Sequence, residues 1–295
     1  MKIKRNRHII TCVITLGVAA LVQQASAAII DYNDYNLGTA ATFAILGGTG
    51  DVTFTAPTTT VIGDVGVAPG TSITGTGPTT LSQTGGTIHN NDSVAIGARA
   101  DSITAFNFAA GAPTTTTFSG GDNQLGGQTL VSGVYKFGGA STANLIGNLT
   151  LSGSGLFIFQ ATSTLVTAGG SSITLINGAD ACNIIWEVGS SATLGAASFF
   201  DGTILAKASI GVDTGATVAG RLLAQTSVTL HNDTIVTDVG CQPGSGTGTF
   251  GTTGVPGEVA GVPDSGTTVL LLGFGLLSLI GFRTISRQSW LQAWC

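Results

Sequence analysis

Charge is what this sequence has least of. Only 8% of its 295 residues are Asp, Glu, Lys or Arg, where an ordinary soluble domain carries about 25%. Ten Lys plus Arg stand against fifteen Asp plus Glu, so no basic surface for nucleic acid is available. So little charge also excludes a highly charged disordered chain, and no strict Gly-X-Y period supports collagen. Histidine is reduced to three residues and methionine to one. No serine sits in a GxSxG elbow, no Walker lysine exists, and His89 and His231 are the only histidines beyond the N-terminal segment. No enzyme activity, cofactor or metal site is therefore expected. Gly47-Gly48-Thr49-Gly50-Asp51-Val52-Thr53 approaches a calcium repeat, but its Asp arrives one position early and the run occurs once. Aromatics reach only 6%. What the chain has in abundance is small and β-branched, with 45 Gly, 44 Thr and 43% apolar residues. Such a composition describes an all-β chain that can still bury a core.

The two ends read as addresses. In residues 1–27, Lys2, Lys4, Arg5 and Arg7 precede an apolar stretch over 9–22. Ala25-Ser26-Ala27 then supplies an A-x-A cleavage site whose small residues are Ala25 and Ala27. A secretory signal peptide is expected there. At the other end Val262-Pro263-Asp264-Ser265-Gly266 leads into the apolar run 267–282 and then Arg283 and Arg287. Sixteen residues are short of the roughly 20 that span a bilayer. This order of motif, apolar helix and basic stop resembles the VPDSG variant of the PEP-CTERM sorting tails. The resemblance implies export, at least transient membrane retention through the apolar helix, and transfer to the cell surface by an exosortase-type enzyme. A plain single-span anchor is the alternative. Residues 288–295 extend past the basic stop, where such tails usually end.

The exported body is expected over 28–240, followed by a Gly/Thr-rich linker over 241–261. Gly246-Thr247-Gly248-Thr249-Phe250-Gly251 in that linker matches GxGxxG by composition alone, with no strand before it and no helix after it. Between residues 28 and 261 only Arg99, Lys136, Lys207 and Arg221 oppose fourteen acids, so the body is clearly acidic. Cys182 and Cys241 are its two cysteines. In an oxidising compartment they are expected to pair, closing a loop of about 60 residues worth roughly 4 kcal/mol.

Within the body the chain repeats. Gly202-Thr203-Ile204-Leu205-Ala206 returns eighteen residues later as Gly220-Arg221-Leu222-Leu223-Ala224, and Ser209-Ile210-Gly211-Val212 returns as Ser227-Val228-Thr229-Leu230. Such a period suits one coil of a solenoid with three short strands, and a β-sandwich gives no reason for a fixed offset. One segment departs from this pattern. Asp92 can cap a helix, and Ile96, Ala100, Ile103, Phe106 and Ala110 follow at helical spacing before Gly111 and Pro113 stop it. This predicts a helix over about 92–110, roughly 28 Å long, lying along some six coils. Asp201, Asp213 and Asp233 fall near expected turns, where Asp bonds the local backbone. Arg221, a lone charge inside a strand, is expected to be structural.

Thr on a strand projects a hydroxyl and a methyl from a stiff stem. Outward Thr on stacked coils would repeat about every 6.6 Å along a strand and 4.8 Å between coils. Such a rigid, weakly charged grid could order water into an ice-like layer, stabilise strands, or adhere to a polymer.

Several segments together resemble the ice-binding-like family of bacteria, diatoms and fungi, over about 34–238. They are 37–43 with Ile45-Leu46, Gly133-Val134-Tyr135, 155–160, Leu175-Ile176-Asn177-Gly178-Ala179, 181–186 with 188–195, and the two Gly-led repeats above. The resemblance implies an all-β fold with one long helix, namely a discontinuous right-handed parallel β-solenoid of roughly triangular section with the helix packed along one side. It also implies an ice crystal surface as partner. Some members carry a Thr-(Ala/Gly)-x-(Thr/Asn) ice-contact motif, which here falls on Thr39 and Thr42, Thr76 and Thr79, Thr84 and Thr87, and Thr214 and Thr217. A fifth match, Thr104 to Asn107, lies in the predicted helix. The expected function is inhibition of ice growth or recrystallisation by a secreted, surface-retained protein. A cell-surface adhesion or matrix protein on the same scaffold is the alternative.

Overall fold

The computed structural model describes residues 35–118, 123–138 and 142–237. Contacts divide the chain into Met1–Phe250 and Gly251–Cys295, and every described residue belongs to the first unit. The expected signal peptide, Cys241, the linker and the sorting tail lie outside the described residues. Among the described residues no helix is long and apolar enough to cross a membrane.

After a 3-10 turn at Gly38–Thr42 come β1 (Phe43–Gly47), β2 (Val52–Thr55), β3 (Thr59–Ile62), β4 (Asp64–Val67), β5 (Ile73–Thr74), β6 (Leu81–Thr84) and β7 (Ile88–Asn90). The helix α1 (Ser93–Gly111) interrupts them. Next follow β8 (Thr116–Phe118), β9 (Thr129–Phe137), β10 (Ala143–Leu145), β11 (Asn148–Ala161), β12 (Leu165–Thr167), β13 (Ser172–Ile176) and β14 (Ile184–Val188). The last are β15 (Ala192–Leu194), β16 (Phe199–Ala206), β17 (Ile210–Val212), β18 (Thr217–Ala224), β19 (Val228–His231) and β20 (Thr234–Val236).

These strands form three stacks, each paired in parallel throughout. The first runs β7-β4-β1-β18-β16-β14-β11-β9-β8. A separate seven-stranded sheet makes the second, β5-β2-β19-β17-β15-β12-β10. The third runs β6-β3-β20-β18-β16-β13-β11-β9. The long strands β9, β11, β16 and β18 bend, so that their first halves serve the third stack and their second halves the first. At two of these bends Gly202 and Gly220 pair with φ of 109° and 151°. A Cβ on Gly220 would stand 1.9 Å from the Gly202 carbonyl oxygen, so this bend has room for glycine alone.

The eighteen-residue period is visible as register: Phe199 pairs with Thr217, Ala206 with Ala224, and Ile210 with Val228. One junction is not sequential. β1, β2 and β3 pair with β18, β19 and β20, so the first strands stack on the last. The chain must therefore cross from the β7 end to the β8 end, and α1 carries it there. Asp92 caps that helix as expected, its Oδ1 accepting from the N–H groups of Val94 and Ala95 at 3.0 and 2.9 Å.

The face that α1 buries is not the expected one. Ala95, Ala98, Ser102, Ala105 and Ala109 pack inward, whereas Ala100 and Ala110 are exposed and Ile96 is 54% exposed. Small side chains let a helix axis approach its neighbour closely. The inner stripe is therefore the one of smallest residues, and the larger ones flank it. Beneath it lie Leu46, Leu223, Leu205, Ile185, Ile158 and Val134, one from each of six successive strands. Arg221, buried among them, donates from Nε to the Ala41 carbonyl at 2.9 Å and ties the 3-10 turn to the stack.

Between the stacks an aromatic row fills the interior. Phe118 stacks on Phe137 and Tyr135, Tyr135 on Phe159, and Phe159 on Trp186, the last pair at 4.0 Å between ring centres. Phe200 closes the row against Trp186, whose Nε1 donates to the Asp201 carbonyl at 3.0 Å. Offset stacking adds to the burial energy of each ring. Phe159→Ala removes the central ring and should cost about 3–5 kcal/mol in urea unfolding.

Three carboxyls are held above their ordinary range, each up to about 7. Burial is the main cause for all of them. At Glu187 the Lys136 and Lys207 ammoniums pull back, and at Asp201 the Asp180 carboxylate adds repulsion. At Asp233, N–H groups of His231, Ala216 and Gly215 offset part of the effect, and Asp213 adds repulsion. A carboxyl whose folded pKa is raised contributes stability that is complete below its unfolded pKa and lost as pH rises through the folded one. The window here runs from about pH 4 to pH 7. Asp92 acts oppositely, since the Ala95 N–H and His89 hold its carboxyl below the usual value. The melting temperature should therefore rise between pH 8 and pH 5 and fall again below pH 4, as calorimetry across that range will show.

Candidate functional site

The second stack is the most regular surface among the described residues. Its strands alternate strictly. Ala143, Leu145, Leu165, Ala192, Leu194, Ile210, Val212, Val228, Leu230, Val52 and Phe54 point inward and are buried. The residues between them form one outward column in unbroken register: Thr74, Thr53, Thr229, Gly211, Thr193, Val166 and Asn144. Gln124 bridges to Asn144 at the end.

Two residues upstream, and so on the same side, runs a second column of Ser72, Asp51, Ser227, Ser209, Ser191, Thr164 and Thr142. It is joined rung to rung through backbone bonds such as Ile210 N–H to Ser227 O at 2.9 Å. Its hydroxyls also bond sideways, Thr142 to Thr164 at 2.8 Å and Ser209 to Ser227 at 2.9 Å. In the Thr column, the Thr74 hydroxyl donates to that of Thr53 at 3.3 Å. Neighbouring rungs repeat about every 4.8 Å and the columns stand about 6.6 Å apart. The result is a two-column grid of short side chains, with Asp51 near one end as its charged member.

The other two stacks differ in what they present. α1 covers the first. The third carries Phe199, 60% exposed between Thr217 and Ser172, and half-buried Asp201 on its outer side. There β13 and β16 meet in register at a single pair.

The motif threonines are distributed over several surfaces. Thr39 sits in the 3-10 turn, where its N–H and Oγ1 both donate to Asp101 Oδ2 at 2.7 and 2.6 Å. Thr42 Oγ1 donates to Thr39 O at 3.5 Å. Thr76 and Thr79 lie in the loop between β5 and β6, Thr84 ends β6, and Thr87 precedes β7 with its N–H on Asp64 Oδ1 at 2.8 Å. Thr214 is in the turn after β17, and Thr217 opens β18 on the third stack. Thr84 and Thr217 thus share the third stack, and the eight do not converge on one face. Thr104, in α1 as predicted, donates to Ala100 O at 3.1 Å. Of the three acids expected at turns, Asp233 accepts from His231 N–H at 2.7 Å and Ala216 N–H at 3.1 Å, whereas Asp201 stands within β16.

The two outward columns do have a signal in the repeat. Ser209-Ile210-Gly211-Val212 and Ser227-Val228-Thr229-Leu230 are two tetrads of a small-apolar-small-apolar pattern. It recurs as Thr142-Ala143-Asn144-Leu145, Ser191-Ala192-Thr193-Leu194 and Asp51-Val52-Thr53-Phe54. Each tetrad places one member in each outward column. Among the described residues no group of three or more His, Cys, Asp or Glu could hold a metal ion.

Comparison with known proteins fits this architecture. The ice-binding-like family model matches residues 45–236, and the VPDSG-CTERM motif matches residues 261–286. An ice-binding protein of Nostoc sp. (strain HG1) is 39% identical over 98% of this chain and 100% of its own. One from Flavobacterium frigoris (strain PS1) is 37% identical over 68% of this chain and 75% of its own. The crystal structure of an ice-binding protein from the Antarctic ascomycete Antarctomyces psychrotrophicus covers 68% of this chain and 97% of that one, with 43% identity and a TM-score of 0.63. The chain belongs to the ice-binding-like family and carries a VPDSG-CTERM motif near its C-terminal end.

Proposed function

We propose that this chain is an exported ice-binding protein that adsorbs to ice through its second stack and so inhibits ice growth or recrystallisation. One observation carries the reading: seven rungs in unbroken parallel register present a column of Thr74, Thr53, Thr229, Gly211, Thr193, Val166 and Asn144 without a charged side chain. Stiff χ1 angles hold each Thr methyl and hydroxyl in place, so water above the grid is ordered before ice arrives. Short side chains and little charge let that layer merge with the crystal lattice. Growth between adsorbed molecules then becomes curved and costlier, with no bond made or broken.

The three stacks are read as faces of a discontinuous right-handed solenoid of roughly triangular section, since parallel returns within a sheet are right-handed in about 98% of cases. The body spans 28–240, preceded by a signal peptide over 1–27. A linker over 241–261 leads to a sorting segment over 262–287, retained in the membrane through 267–282 and acted on by an exosortase-type enzyme. The VPDSG-CTERM match supports surface placement. Cys182 and Cys241 form a disulfide. Cys182, 9% exposed beside β14, is already fixed by its N–H bond to Asp180 Oδ1 at 2.9 Å.

Thr229→Tyr plants a bulky ring in the middle of the proposed face, and Thr234→Tyr does the same on the third stack. Thermal hysteresis and recrystallisation assays should show a several-fold loss for Thr229→Tyr and near wild-type activity for Thr234→Tyr, at equal melting temperatures. The reverse pattern would move the contact surface to the third stack. No ice shaping by the unmodified body at high micromolar concentration would sink ice binding altogether and leave adhesion as the better reading. Thiol alkylation of the native body should label neither cysteine until reductant is added. Reduction should lower stability by roughly 4 kcal/mol.

A further inference from the structure

Arg99, Lys136, Lys207 and Arg221 are the only Lys and Arg between residues 28 and 261. The structure separates them into two kinds. Arg221 is buried, and Arg99 is half-buried with Nη2 donating to Gln225 O at 3.2 Å. Lys136 and Lys207 are exposed, and both line one cavity of about 220 Å³ at the C-terminal end of α1. Among the described residues no carboxylate lies within 4 Å of either ammonium. A body with so few cations has brought both of its solvent-facing ones to a single opening.

The rest of the cavity is built to stay in place. Gln160 is level in register with Lys136 on one side and Glu187 on the other. Its Nε2 donates to the carbonyls of Ala109 and Ala112 at 2.8 and 2.9 Å, and its Oε1 accepts from Thr114 Oγ1 at 3.2 Å. Both ends of that amide are therefore used in closing the helix. Phe106 gives an apolar wall and Thr162 a hydroxyl at the rim. Two ammoniums outweigh the helix C-terminus, which carries about half a negative charge and is already capped by Gln160. Residues 102–111 of α1 bring no charged side chain of their own.

We infer that this cavity binds a small organic carboxylate, its carboxyl group between Lys136 and Lys207 and its apolar side against Phe106. The volume is below the usual range for drug-sized ligands and suits a group about the size of one sugar ring. Glu187, 5% exposed, sits with the two lysines. Burial pushes its carboxyl up to about 7 while Lys136 and Lys207 pull it back. Below that pH it is neutral and does not repel an incoming anion; above it, the carboxylate competes for both ammoniums. A free sugar acid and a uronic-acid unit of an acidic polysaccharide offer the same chemistry.

The test is an NMR titration of the exported body, residues 28–240, at pH 6 with sodium galacturonate, galactose and polygalacturonate, repeated on the Lys136→Gln, Lys207→Gln double variant. Both lysines are exposed, so the variant should fold and melt like the unmodified protein. The expected result is saturable shifts at the Phe106 and Thr162 amides with galacturonate, weakened about tenfold in the double variant. Tighter binding per unit of polygalacturonate would assign the ligand to a polymer, and equal binding to a free acid. Galactose binding as well as galacturonate, or a double variant that binds like the unmodified protein, would overturn the inference. So would a lack of saturation by about 50 mM, far weaker than a built site should be.

Discussion

Everything in this molecule depends on parallel register between one coil and the next. Each strand has its backbone groups satisfied only when a neighbouring coil supplies the same pattern one rung away. That demand explains why β1, β2 and β3 dock on β18, β19 and β20, which come last among the described strands. Without the docking, two sets of coils would each present a long open edge. With it, the open strands at the β5, β6 and β7 end have two, four and three residues. Edges so short, with Ser82, Gln83 and Asn90 among their residues, are poor templates for further pairing. The helix follows from the same demand, because the chain must travel the length of the stack to begin its second set of coils.

Register also transmits the interior to the surface. Inward positions must hold side chains that stack, and they do so as an aromatic row on one side and as Ala, Val, Leu and Ile beneath the second stack. Because alternate residues point oppositely, a regular interior forces a regular exterior. The outward Thr column is thus the reverse side of the buried Val52, Val228, Ile210, Ala192 and Leu165 ladder. The third stack shows what happens otherwise. The bends within β11, β16 and β18 let coil length vary there, so that β13 and β16 share a single registered pair, Ser172 with Phe199, and the large Phe199 stands on the outer side.

How much of this was legible in the sequence follows from where the signals are local. The helix was legible because its cap, length and stop lie within twenty residues. Its buried stripe was misread, since periodicity alone favours the larger Ile96 and Ile103 over the small Ala95, Ala98, Ala105 and Ala109 that permit close approach. The coils containing Gly202 and Gly220 were legible because they are eighteen residues apart. Leu165 and Ala192, also paired in register, are twenty-seven residues apart, and no fixed period finds them. The docking of the first strands on the last has no local signal at all. For the candidate face, a motif defined by spacing along one strand selected Thr39 and Thr76, which lie in turns. The candidate face is defined across strands, by Thr53, Thr193 and Thr229 from three separate coils.

The scarcity of charge takes on a physical role once these placements are known. Arg221 holds the 3-10 turn against the stack and Asp233 holds a turn, and both are buried rather than presented to solvent. The two exposed lysines stand at the end of α1 rather than within the Thr column. In the second column, hydroxyls bond to one another across rungs, as Thr142 does with Thr164 and Ser209 with Ser227. A hydroxyl already satisfied by its neighbour keeps its remaining bonding direction fixed, which orders the first water layer more firmly than a freely rotating group would. On the proposed ice-binding face the two columns would divide the work: one fixes oxygen positions through the mutual bonds of Thr142 with Thr164 and Ser209 with Ser227, and the other fixes methyl and hydroxyl positions through stiff β-branched stems. Long charged side chains would disrupt both, and their near absence from this face is what the composition of the whole chain expresses.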